Sequence, residues 1–132
     1  MRAALATLDV MAEENLTENA RVQGALLREG LEELQHRYPM IGDVRGKGLM
    51  QGLEFVRSHK EPAPDLVKKF FEYTKGNGLL IGKGGLYGNT VRIAPALNVT
   101  AEQVRDALDR MENALQRMVA EVPELNQISE GI

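Results

Sequence analysis

Apolar residues recur at three- and four-residue steps through the first forty residues of the chain. They predict an amphipathic helical stretch from about Ala3 to Tyr38. Asn15 and Thr17 lie midway and are typical of helix caps, so we expect two consecutive helices or one kinked helix. Pro39 should end the stretch, because its ring disfavours a helical conformation at the preceding residue.

Shorter apolar runs follow and predict strands. The segment IGDVRGKGLMQGLEFV, residues 41–56, has two apolar runs around Gly46 and Gly48, which predicts an antiparallel hairpin. The segments LLIGK, residues 79–83, and TVRIA, residues 90–94, predict two further strands joined by the loop GGLYGN.

Two more helices complete the predicted fold. Asp65 is the expected cap of a helix between the two strand pairs, and Thr100 with Gln103 is typical of a capping box that opens the last helix. Periodicity fails from Pro123 onward, so residues 123–132 are predicted to be a frayed tail. We therefore expect residues 1–122 to form one α/β or α+β unit, a small, mostly antiparallel sheet covered by helices.

One charged residue, Arg92, interrupts the apolar run TVRIAPALNVT at residues 90–100. If Val91 and Ile93 face the core, strand alternation directs Arg92 to the opposite side. A guanidinium buried there would need an anion, because its desolvation is costly. Two interpretations stay open: a solvent-facing or internally paired arginine, which is the more common case, and a receptor for a carboxylate, whose two oxygens a guanidinium matches.

The glycine-rich loop at residues 82–89, GKGGLYGN, is the second candidate site. Successive glycine amides can form an anion-binding concavity, and Lys83 would add positive charge. The glycines lack the spacing of a P-loop and do not lead directly into a helix. A connection between two strands is therefore the favoured interpretation of this loop.

Composition excludes several classes of function. The 132 residues carry a net charge of −3 and only 5% aromatic residues, which argues against a nucleic-acid partner. The absence of cysteine excludes disulfides and thiolate metal sites, and two isolated histidines predict no metal site. No apolar run reaches the roughly 20 residues that span a bilayer, and the first residues do not resemble a secretory signal. The default expectation is a cytoplasmic protein without a membrane partner.

Catalytic residues are also missing from the sequence pattern. We find no arrangement of serine, histidine and aspartate, no convincing pair of carboxylates and no metal cluster. We therefore expect no catalytic, cofactor-binding or metal-binding residue within the chain, and any chemistry must come from elsewhere.

Three phrases at compatible spacings resemble one enzyme family. AALATLDVMAEENL, IGDVRGKGLMQGLEFV and GLLIGKGGLYGNTVRIAPALNVT together resemble the carboxy-terminal portion of class III pyridoxal-phosphate aminotransferases. That family includes 4-aminobutyrate, ornithine and alanine–glyoxylate aminotransferases. The resemblance covers roughly residues 3 to 120 and implies the small domain of the fold-type I aminotransferases.

The resemblance implies a division of labour between two domains. In the family, a larger domain binds pyridoxal phosphate through a Schiff-base lysine, and the smaller domain closes over an amino acid or keto acid substrate. Arg92 occupies the place of the family's carboxylate-binding arginine, although Ala96 stands where a second proline is frequent. The loop containing Gly84, Gly85, Tyr87 and Asn89 is a possible active-site loop. No lysine has the context of the cofactor lysine.

The chain alone is accordingly expected to be inactive and to bind no pyridoxal phosphate. Its implied partners are a cofactor-binding large domain and further copies in a homo-oligomer, such as a dimer. The alternative is a non-catalytic module that binds a small carboxylate or mediates oligomerisation. A domain that normally meets a neighbour should expose apolar surface, and Leu8, Met11 and Leu16 of the first helix are the expected contributors.

Overall fold

Eight main elements build residues 1–128, the part of the chain that the computed structural model describes. The helices are α1 (Arg2–Glu13), α2 (Leu16–Arg37), α3 (Pro64–Gly76) and α4 (Ala101–Glu121). The strands are β1 (Ile41–Lys47), β2 (Met50–Phe55), β3 (Gly82–Gly84) and β4 (Thr90–Ile93). Short 3₁₀ helices occupy Ser58–Lys60 and Pro123–Gln127. The order of helices and strands is the predicted one.

The helical stretch at the start of the chain is divided as expected. Asn15 adopts a left-handed backbone conformation with φ of 50°, which separates α1 from α2. A residue in this conformation cannot continue a right-handed helix, and asparagine tolerates it better than most residues. Helix α2 ends at Arg37, and Tyr38 is extended before Pro39, as the proline predicts.

The four strands form one antiparallel sheet in the order β1-β2-β4-β3. One face of the sheet carries buried side chains that pack with α2, α3 and α4 in a single core, among them Val44, Leu53, Phe55, Val91 and Ile93. The other face bears polar residues, glycine and the exposed Met50, and the described part of the chain places no helix over it. This mixed architecture confirms the predicted fold class.

Helix α4 begins as the sequence predicts. The Thr100 hydroxyl accepts a hydrogen bond from the Gln103 amide, and the Gln103 side chain accepts one from the Thr100 amide. This capping box satisfies two amides that the first helical turn leaves without partners.

Three boundaries differ from the sequence-based expectation. Asp65 does not cap α3: Pro64 already occupies the first turn, and the Asp65 carboxylate pairs with Arg57 instead. The predicted strand at residues 79–83 is shorter, because only Gly82–Gly84 pairs with β4. The hairpin turn falls at Gly48 and Leu49, so that Gly46 lies within β1 and only Gly48 of the glycine pair is in the turn.

The expected frayed tail is wrong for residues 123–127. Leu125 lies in the second 3₁₀ helix and is only 4% exposed within the core. Burial of this leucine stabilises the segment against α4 by removing apolar surface from water. Residues 129–132 lie outside the described residues.

Candidate functional site

Arg92 lies on the open face of the sheet. Its neighbours Val91 and Ile93 are buried, and Arg92 itself is exposed, as strand alternation predicts. The guanidinium is therefore not desolvated by the described part of the chain, because residues 1–128 leave Arg92 exposed on the face opposite the helices. Among residues 1–128, Arg92 has neither an ion pair with an acidic residue nor a side-chain hydrogen bond.

Two glycines flank Arg92 in the sheet. Gly52 of β2 and Gly82 of β3 are its direct partners on either side. A β-carbon at Gly82 would lie 3.2 Å from the Nε atom of Arg92, so the arginine side chain leans across β3 where a side chain is missing. The Arg92 side chain therefore lies next to the backbone of β3 at Gly82, which has no side chain.

A second arginine in the same row of the sheet is already neutralised. Arg45 pairs with Gly52 from the other side, and its guanidinium donates to Asp43 at 2.7 Å and to Glu54 at 2.6 Å. These hydrogen bonds, first to Asp43 and then to Glu54, raise the pKa of Arg45 above its usual value. An incoming anion would therefore meet Arg92 in preference to Arg45.

A largely apolar pocket of about 430 Å³ adjoins Arg92 at the β3 edge of the sheet. The chain leading into β3 forms one wall with Leu79 and Ile81, and α4 forms the opposite wall with Val104 and Ala107. Among residues 1–128, Arg92 is the only residue with a charged side chain that lines it. The pattern of the sequence did not reveal this pocket, because its walls come from segments far apart in the chain.

The loop residues named from the sequence differ in their exposure to solvent. Asn89 is only 2% exposed, and its side-chain amide donates to the Phe55 carbonyl at 3.0 Å. Asn89 therefore anchors the loop to β2. Tyr87 is 66% exposed in the turn of the loop, and Gly84, the last residue of β3, and Gly85, a bend, lead into that turn.

A contact that the sequence did not suggest holds the segment after β4. The Asn19 amide of α2 donates to the carbonyl oxygens of Leu97 and Val99, at 2.7 and 3.0 Å. These two bonds join the start of α2 to the segment between β4 and α4, in which Val99 also lines the pocket. In the sequence, only the position of Asn19 in an amphipathic helix could have indicated this contact, and that signal is weak.

The described lysines do not fit the cofactor that the family resemblance implies. A Schiff-base lysine needs a shielded amine, which burial keeps neutral. Five of the six lysines are exposed, and Lys69 is half-buried but pairs with Glu121 at 2.8 Å. No lysine lines the pocket beside Arg92. The six lysines therefore lie exposed at the surface or, in the case of Lys69, in an ion pair.

Metal-ligating side chains are dispersed over the described residues. Histidine, aspartate and glutamate side chains in residues 1–128 form no group of three or more that could hold a metal ion. Across the same residues, none of the helices combines the length and apolar character needed to cross a bilayer.

The fold is an α+β domain whose open sheet face carries Arg92 without an acidic partner in residues 1–128. Comparison with known proteins gives the family: the model of the class-III aminotransferases matches residues 1–115. This chain belongs to the class-III aminotransferase family.

Individual relatives agree with that assignment. The chain is 41% identical over 113 residues to an alanine/serine racemase from Pyrococcus horikoshii, covering 86% of this chain and 24% of the relative. It is 41% identical over 118 residues to alanine–glyoxylate aminotransferase 2 homolog 2, mitochondrial, from Arabidopsis thaliana, covering 88% of this chain and 25% of the relative. The chain therefore spans about a quarter of the length of these curated relatives.

A solved structure shares the fold. An aminotransferase from Bacillus anthracis superposes with a TM-score of 0.81 at 35% identity, over 86% of this chain and 27% of that one.

Proposed function

We propose that residues 1–122 form the carboxy-terminal small domain of a pyridoxal-phosphate-dependent aminotransferase. The complete enzyme would move an amino group between an amino acid, or an omega-amino acid, and a keto acid. Pyridoxal phosphate supplies the transfer chemistry in enzymes of this family and would be held by a larger domain. Family membership supports this proposal, together with the lack of a fitting lysine in residues 1–128.

Within that domain, Arg92 is proposed to bind the substrate carboxylate. The supporting observation is a guanidinium on an open face, flanked by glycine and without an acidic partner in residues 1–128. A planar guanidinium donates two parallel hydrogen bonds to a carboxylate, which fixes orientation as well as distance. The role of Arg92 would be to position the substrate and lower the entropic cost of reaction.

Direct titration of this chain with acetate tests the role of Arg92. The Nε–H signal of Arg92 should shift on addition of acetate in a nuclear magnetic resonance spectrum. An Arg92→Lys variant should bind acetate roughly tenfold more weakly, because lysine lacks the two-pronged geometry. The matched control is Arg105→Lys on the exposed side of α4, which should bind acetate normally. Equal binding by the Arg92 variant would contradict the proposed role.

Addition of pyridoxal phosphate tests the division between domains. The 132-residue chain should form no coloured lysine adduct that survives gel filtration, and it should show no amino transfer. A stoichiometric adduct together with turnover would overturn the proposal that the cofactor is held outside this chain.

Helix α1 favours a second candidate, an oligomerisation module. None of its residues is buried, and Leu5 and Leu8 are 56% and 60% exposed. Such an apolar surface is typical of a contact site. In this alternative the chain binds another subunit without taking part in catalysis, and Arg92 variants would leave every activity of the complete protein unchanged.

A further inference from the structure

We propose that the pocket beside Arg92 holds the aliphatic part of the ligand, so that the preferred ligand is a monocarboxylate with an apolar chain. This inference rests on the proposed role of Arg92 and adds the chemical class of the molecule that it binds. The pocket and the guanidinium would act as one site, with the carboxylate at the mouth and the chain inside.

The walls of the pocket are suited to an aliphatic chain. Leu79, Ile81 and Ala107 are half-buried and present hydrocarbon to the space, and the buried Val104 and Met111 of α4 also line it. A volume of about 430 Å³ is large enough for a chain of several carbon atoms. Transfer of such a chain from water to this surface is favourable in proportion to the apolar area buried.

The charge around the pocket favours a single carboxylate. Among residues 1–128, Arg92 is the only charged residue lining the pocket, and no aspartate or glutamate of that range lines it to repel a carboxylate. A ligand with a second carboxylate at its far end would have to bury that group among apolar side chains without a partner. Since an unpaired buried charge is strongly unfavourable, the pocket discriminates against dicarboxylates.

The position of Gly82 links the guanidinium to the apolar space. Gly82 lines the pocket and also faces Arg92, whose Nε atom lies 3.2 Å from the place of a β-carbon at Gly82. Arg92 and Gly82 therefore border the apolar space together at the β3 edge of the sheet. A single short ligand can therefore reach both at once.

The experiment compares four carboxylates on the 132-residue chain. Acetate, butyrate, hexanoate and adipate are titrated, and the Arg92 Nε–H signal and the methyl signals of Ile81 and Val104 are followed. We expect affinity to rise roughly three- to fourfold for each methylene from acetate to hexanoate. Hexanoate should shift the pocket methyls, and adipate, of the same carbon number, should bind more weakly than hexanoate.

Two variants show where the aliphatic chain lies. Ala107→Leu fills the pocket and should abolish the preference for hexanoate over acetate while acetate still binds. Ala120→Leu is the matched control, an exposed alanine of α4 outside the pocket, and should keep the full preference. Circular dichroism verifies that both variants remain folded.

The outcomes separate this inference from the proposed function. Equal affinities for acetate and hexanoate, with loss of binding in Arg92→Lys, would overturn the pocket inference and leave the carboxylate receptor intact. The pocket inference would likewise be overturned if adipate bound as tightly as hexanoate or if Ala107→Leu kept the preference. Failure of all four carboxylates to shift Arg92 would overturn both.

Discussion

Arg45 and Arg92 lie on either side of Gly52 in the sheet and differ in their ion-pair partners. Arg45 donates to Asp43 and Glu54, whereas Arg92 stands between two glycines without an acidic partner in residues 1–128. Strand alternation alone predicted the face on which Arg92 lies. The sequence could not predict which arginine is neutralised, because Glu54 meets Arg45 only through the register of β1 and β2.

Gly82 offers the most specific test at this scale. Gly82→Ala should displace the Arg92 side chain, because the new methyl group would crowd its Nε atom and its backbone carbonyl. We expect acetate affinity to fall roughly threefold in the chain, since small misplacements of a binding group are costly.

The matched control for Gly82 is Gly84→Ala, two residues further along the same strand. A β-carbon at Gly84 would meet no atom within 4 Å, so acetate should bind this variant normally. Equal acetate affinities of the two variants would show that the absence of a side chain at Gly82 does not affect carboxylate binding by Arg92.

The contact between α2 and the β1–β2 hairpin depends on an absent side chain. Gly24 lies inside α2 and is buried, and a β-carbon there would overlap the backbone of Gly48. Glycine inside a helix costs about 1 kcal/mol relative to alanine, so periodicity alone gives no reason for it. The close approach of the hairpin supplies that reason, and it could not be predicted without the fold.

Gly24→Ala should therefore destabilise the chain although alanine favours helices. We expect the free energy of unfolding to fall by about 1–3 kcal/mol, the usual range for overpacking. Denaturation with urea measures it. Gly76→Ala in the last turn of α3 is the control, with no atom within 4 Å of its β-carbon, and should be neutral or slightly stabilising. A stabilised Gly24 variant would contradict the close contact.

A carboxylate at the end of α4 ties that helix to α3. Glu121 accepts hydrogen bonds from Lys69, at 2.8 Å, and from the Tyr73 hydroxyl. These bonds, with Lys69 as the largest cause, lower the pKa of Glu121 from 4.5 to about 2. Sequence periodicity placed all three residues on helices but could not predict their meeting.

Glu121 should contribute to the pH dependence of stability. Because its pKa is lower in the folded chain, its contribution is complete above pH 4.5 and is lost as the pH falls towards 2. The difference in unfolding free energy between the parent chain and Glu121→Gln should therefore shrink over this range in urea titrations. A difference that stays constant from neutral pH to pH 2 would contradict the lowered pKa.

At the scale of the whole molecule, the order of the helices and strands could be predicted from the sequence, whereas the pocket beside Arg92 could not. Helical periodicity, Asn15, Pro39 and the capping box at Thr100 are local signals, and the structure confirms them. The wrong expectations concern long-range contacts: Asp65 pairs with Arg57 instead of capping, and the segment after Pro123 folds back onto the core. Among the residues expected to be exposed on the first helices, Leu8 is exposed, Met11 is half-buried and Leu16 is buried.

Exposed apolar residues of α1 predict self-association of the chain. Leu5→Asp combined with Leu8→Asp should shift the chain towards monomer in sedimentation velocity runs at high concentration, because the charges oppose burial of that surface. Val22→Asp on α2, another exposed apolar position, serves as the control and should sediment like the parent chain. A parent chain that stays monomeric at high concentration would contradict the prediction.

Steady-state kinetics of the complete enzyme test the role of Arg92 most directly. In the protein that joins this chain to a cofactor-binding domain, Arg92→Lys should raise the KM for carboxylate substrates by roughly tenfold or more. A substrate analogue without a carboxylate should show the same KM with the parent enzyme and the variant. An unchanged KM for the carboxylate substrate would contradict the assignment of Arg92 as its receptor.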